Sequence, residues 1–90
     1  MSRRQKRLAR LRQNPNNVLL DDLWTVLKEY GFEHKHTVGS HHTFAVIIKD
    51  VSYLLVVPFH RPLKSIYVKK ALQLIDLVIA ARGDQDEPED

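Results

Sequence analysis

Five histidines stand in the ninety-residue chain, at positions 34, 36, 41, 42 and 60. Two of them fall in the string Val38-Gly39-Ser40-His41-His42-Thr43-Phe44, which reads as a glycine turn entering a strand. If Phe44, Val46 and Ile48 face a core, strand alternation puts His42 on their side and sends His41, with Thr43, to the opposite face. His41 is then the more accessible imidazole. An imidazole titrates near neutrality and can accept or donate a proton, as phosphodiester cleavage requires of a general base or acid. A surface histidine without catalytic duty fits the same pattern.

His34 and His36, two apart, are expected on one strand face, and imidazole is a ligand for zinc, copper or nickel. No Asp or Glu accompanies them at a motif spacing, so they are read as solvent-facing and no metal or other cofactor is assigned. His60 follows the third strand in Val57-Pro58-Phe59-His60-Arg61, a short proline-bounded loop. It is either a complementary proton donor or a loop histidine capping backbone. Lys64, Lys69 and Lys70 lie at or just inside the helix that follows, where cations and free N–H groups suit backbone phosphates. A solvated helix face accounts for Lys69 and Lys70 equally well. Of the aromatic residues, Trp24, Phe32 and Phe44 fit a core pattern. Tyr30, Tyr53, Phe59 and Tyr67 are the surface candidates for stacking on bases.

The elements that position these residues follow from periodicity. Leu20, Leu23, Leu27 and Tyr30 recur at helical spacing, with Asp21 and Asp22 favouring the N-terminus and Gly31 the C-terminus. Residues 32–37, 41–49 and 53–57 read as three strands. Gly39-Ser40 makes the first turn and Asp50-Val51-Ser52 the second, and the wholly apolar third strand is expected to be central. Ser65 is placed to cap a helix over about 66–82, with Val68, Leu72, Ile75 and Ile79 on its buried face and Gly83 ending it. The fold class is therefore α+β, in the order α-β-β-β-α: a three-stranded antiparallel sheet with two helices on one face.

Length and composition limit what such a domain does. Ninety residues without cysteine make one small domain of cytosolic type, and exclude a disulfide framework, a thiolate zinc site and a cysteine nucleophile. The longest apolar run, 53–58, is far short of the roughly 20 residues a membrane helix needs. No signal-peptide pattern is present, so a cytoplasmic location is expected. Charge is concentrated at the ends: Arg3, Arg4, Lys6, Arg7, Arg10 and Arg12 at one, Asp84, Asp86, Glu87, Glu89 and Asp90 at the other. Residues 1–17 read as a basic arm and linker that docks weakly or not at all, 18–82 as the folded domain, and 83–90 as an acidic disordered tail. A polycationic end points to a polyanion such as nucleic acid, or to a frayed, solvated terminus.

Over residues 18–78 the chain resembles the HicA family of type II toxin–antitoxin toxins. The likeness rests on Tyr30-Gly31-Phe32-Glu33, on Gly39-Ser40-His41-His42 entering a strand, on Val56-Val57-Pro58-Phe59-His60, and on Lys64 followed by Val68-Lys69-Lys70-Ala71-Leu72. Val38 departs from it, standing where relatives often carry a basic residue. The resemblance implies a fold similar to a double-stranded-RNA-binding domain, metal-independent cleavage of mRNA, and a HicB-type antitoxin that masks the toxin. It makes His41 the expected catalytic residue, or His42 in the register of members whose histidine comes one position later. Beside it, the residues' own chemistry leaves His60 as a candidate complementary acid or a backbone cap, and Ser40, Lys64, Lys69 and Lys70 as candidate RNA contacts. The alternatives are a non-catalytic RNA-binding module of the same fold and a protein-interaction domain.

Overall fold

In a computed structural model describing residues 2–82, the chain forms α1 (Arg3–Gln13), α2 (Leu20–Glu29), β1 (Glu33–Val38), β2 (His41–Ile48), β3 (Val51–Pro58) and α3 (Ser65–Ala81). The architecture is α+β, with three helices and one antiparallel sheet of order β1-β2-β3. Gly83 and the acidic segment 83–90 lie outside the described residues. No helix among the described residues is long and apolar enough to cross a membrane.

The basic arm is not loose. Ser2 and Gln5 form a capping box, Gln5 N–H donating to Ser2 Oγ at 3.1 Å and Ser2 N–H to Gln5 Oε1 at 2.9 Å. Leu8 and Leu11, three apart on one helical face, are buried in the same core as Val18, Leu23 and Val26. An eleven-residue helix is marginal alone, and tertiary burial of its apolar face overcomes that deficit. Its cations serve the fold as well. Arg7 grips Glu29 with two nitrogens, Arg12 donates to Asp76 at 2.8 Å, and the Arg4 guanidinium lies 5.1 Å from the Tyr30 ring centroid. Part of the polycationic patch thus faces protein groups in place of an external polyanion.

Four further expectations are corrected. β2, not β3, is the central strand: Leu55 and Val57 of β3 are buried, but Leu54 and Val56 are exposed on its other face, so a run of apolar residues marked a strand without marking its place. The β2–β3 reversal is Lys49-Asp50, both at positive φ (50° and 68°), a two-residue turn whose twist matches the strands. Lys64, not Ser65, occupies the N-cap of α3, and no side chain caps that end. The core lies between α2, α3 and one sheet face, from which Phe44, Val46 and Ile48 project beside Leu55 and Val57. Tyr30 is fully buried there, so it is not available for stacking on a base.

Candidate functional site

Two groups of the predicted residues converge at the Gly39 end of the sheet. Gly39 takes a positive φ of 59° and Ser40 does not, the backbone pattern of a glycine-first two-residue hairpin turn. Val38 is thereby set opposite His41, and Thr37 opposite His42. On its other side His41 pairs with Pro58, and one residue further Phe59 N–H donates to the Ser40 carbonyl at 2.7 Å. The Gly39-Ser40-His41 turn and the Pro58-Phe59-His60 loop are therefore neighbours, although sixteen residues lie between them in the chain. The loop is also held at its far end, where Leu63 N–H donates to the Val18 carbonyl at 2.8 Å.

His41 is exposed on the sheet face away from the helices, as its parity requires. His60 is exposed as well, and its Nδ1 lies 2.7 Å from the Pro62 carbonyl oxygen. A carbonyl only accepts, so Nδ1 carries a proton and donates it; Nε2 is left as the working nitrogen. The histidine caps backbone, and that cap sets its tautomer. Phe59 is half-exposed beside it, and Lys64 is exposed at the start of α3. Lys69 and Lys70 are exposed along α3, where the Lys70 ammonium lies 5.8 Å from the Tyr67 ring centroid, and no contact ties either lysine to the histidines. Ser40 contributes its carbonyl to the Phe59 bond and keeps an exposed side chain.

His42 belongs to a different group, on the helix side of the sheet. Its Nδ1 is 2.9 Å from Thr37 Oγ1, and that hydroxyl is 2.8 Å from His34 Nε2. Trp24 of α2 stacks on His34 with ring centroids 4.7 Å apart and meets His42 edge-on at 5.6 Å; Phe44 lies beneath. Burial first, and the charge of His34 second, hold the His42 pKa below its usual 6.5. One hydroxyl proton serves two imidazoles, so the tautomers of His34 and His42 are coupled through Thr37. An open hollow of about 620 Å³ adjoins this relay, lined in part by Trp24, Lys28, Glu33 and His34.

His34 and His36 do not share a face. The pairing with β2 slips between them: His34 sits opposite Phe44 and His36 opposite Thr43, residues whose side chains leave the sheet on opposite sides. Among the described residues no group of three or more His, Asp or Glu side chains is arranged to hold a metal ion. The Thr37–His42 pairing was readable from the two-residue turn, which fixes the hairpin register. The part played by His34 and Trp24 was not, because it depends on the slip in β1 and on the seat of α2.

No protein-family model matches the chain, and comparison with curated proteins and with solved structures finds no significant similarity.

Proposed function

We propose that the chain is the toxin of a HicA-type toxin–antitoxin pair, a metal-independent ribonuclease that cleaves mRNA and is masked by a HicB-type antitoxin. The observation that carries the reading is the Phe59 to Ser40 hydrogen bond, which puts His41 and the tautomer-fixed His60 at one end of the sheet. Cross-strand partners lie about 5 Å apart and two further residues reach about 7 Å, so the two Cα atoms are within about 12 Å. Two imidazoles at that spacing can flank one phosphodiester. His41 takes the proton of the RNA 2′-hydroxyl, the 2′-oxygen attacks phosphorus, and the bond from phosphorus to the 5′-oxygen breaks. Charged His60 gives its Nε2 proton to the departing oxygen. The products are a 2′,3′-cyclic phosphate and a 5′-hydroxyl, and each proton transfer is worth roughly 10²–10⁴ in rate. Lys64, exposed at the start of α3 four residues after His60, is the cation assigned to offset charge growing on the phosphate. The α2-β1-β2-β3-α3 order, the order expected of a fold similar to a double-stranded-RNA-binding domain, supports the same reading.

The experiment is induction of the chain alone in bacteria, with growth and transcript integrity followed beside His41→Ala, His42→Ala and His60→Ala, each checked for a folded circular-dichroism spectrum. Loss of toxicity and cleavage in His41→Ala and His60→Ala, with activity kept in His42→Ala, is the expected result. Loss in His42→Ala alone would transfer catalysis to the relay of His34, Thr37 and His42. Normal growth and intact transcripts at confirmed expression defeat the toxin reading; retained RNA affinity would then mark a non-catalytic RNA-binding module. Cleavage abolished by chelation and restored by zinc would overturn the metal-independent mechanism.

A further inference from the structure

The two edges of the sheet are unlike. β1 carries Glu33 and Lys35, paired at 3.0 Å, and a break in register, devices that discourage a further strand. β3 has none of these. Its eight residues, VSYLLVVP, hold no charge and no internal proline and keep unbroken register with β2. The direction of its free backbone groups follows from the turn. In a two-residue hairpin the closing pair, Ile48 and Val51, is hydrogen-bonded, and bonded pairs then alternate. Val51, Tyr53, Leu55 and Val57 therefore bond to β2, and the Phe59 to Ser40 bond continues that parity. The N–H and C=O groups of Ser52, Leu54 and Val56 point away from β2. Among the described residues no backbone bond from another element reaches them.

We infer that this edge pairs with β3 of a second copy, antiparallel about a two-fold axis at Leu54, making one continuous six-stranded sheet. A two-fold normal to the sheet keeps its faces, so paired residues must have the same parity. Centring on Leu54 sets Leu54 opposite Leu54 and Ser52 opposite Val56, which uses every outward donor and acceptor in a ladder of about six hydrogen bonds. On the helix side Tyr53 then meets Leu55, and Val51 meets Val57, apolar against apolar. Beyond the ladder, Asp50 of each copy arrives opposite Pro58 of the other, two residues before His60 and three before Arg61. Among the described residues neither Asp50 nor Arg61 forms an ion pair, and the two-fold brings the two toward each other twice. The strand and its flanks are thus complementary to themselves. Edge pairing covers less than the ~1,600 Å² of a standard interface, so association is weak and concentration-dependent.

The edge pairs whether or not the chain cleaves RNA, and sedimentation equilibrium up to about 1 mM tests it directly. Mass should climb from 10.5 kDa toward twice that value. Amide exchange at Ser52, Leu54 and Val56 should slow with concentration, whereas Tyr53, Leu55 and Val57 should be protected at every concentration. Leu54→Lys should weaken the dimer at least about tenfold. Ile47→Lys, as exposed (73% against 67%) and on the same face but in the central strand, should leave it unchanged. Asp50→Arg and Arg61→Asp should each weaken it, and the two together restore it. A monomer throughout the range overturns the inference. So does a dimer lost in Ile47→Lys and kept in Leu54→Lys, which would mean stacking of sheet faces, or an edge that takes a foreign strand but never its own copy. If Leu54→Lys fails to fold, the exchange pattern of the unaltered protein decides.

Discussion

Replacing Thr37 by valine keeps shape and strand propensity while removing the one hydroxyl that joins His34 to His42. Two hydrogen bonds disappear, each worth roughly 0.5–1.5 kcal/mol net, and because both are exposed the low end applies, giving about 1 kcal/mol in total. For a domain of this size that corresponds to about 4–8 °C in Tm. Acid should act on the same cluster by a separate route. His42 has a folded pKa below its unfolded value of 6.5, so the unfolded chain binds the extra proton more readily. The stabilising contribution is complete above 6.5 and is lost as pH falls through the folded value. Across the 5.8 Å between ring centroids, two charged imidazoles repel by about 0.7 kcal/mol at the dielectric of water and about 3 kcal/mol at an effective dielectric of about 20. Urea denaturation at about pH 7.5 and about pH 5 separates the two effects. Thr37→Val should lose stability about equally at both, since burial and His34, not the hydroxyl, depress the pKa. His34→Gln should flatten the acid loss in part, and His42→Gln should remove the share due to His42. Parent-like stability in Thr37→Val would refute the relay, and His42 titrating at its ordinary value by NMR in the unaltered protein would refute the effect of burial and His34.

Leu11→Ala should cost about 2–4 kcal/mol in urea denaturation, because α1 is part of the core; an unchanged midpoint would restore the loose arm. Glu29→Ala, which breaks the half-exposed pair with Arg7, should cost no more than about 1 kcal/mol in the same assay. Gly39→Ala should cost about 1–2 kcal/mol in thermal unfolding from the left-handed backbone alone, since an added Cβ meets nothing within 4 Å. Gly31→Ala should cost more, because φ is 93° and the new Cβ would lie 3.3 Å from Arg82.

The features legible in the residues alone are those set by local chemistry. Hydrophobic period placed α2 and α3, glycine placed the first hairpin, and parity sent His41 and His42 to opposite faces, whereas the glycine-free Lys49-Asp50 turn went unread. Each follows from a period of 3.6 or 2 and from φ preferences acting over a few residues. Tertiary structure decided the rest. Leu8 and Leu11 are too few to announce a docked helix, yet they suffice once Val18 and Val26 supply the surface they cover. β3 looked central because it is apolar throughout, but its position was fixed by two tight hairpins in succession, which leave the middle strand in the middle. The pair His34 and His36 was divided by a slip in β1 that no single residue signals. His60 reached the neighbourhood of His41 through one backbone hydrogen bond between residues 40 and 59, and a contact of that range depends on how the whole sheet closes.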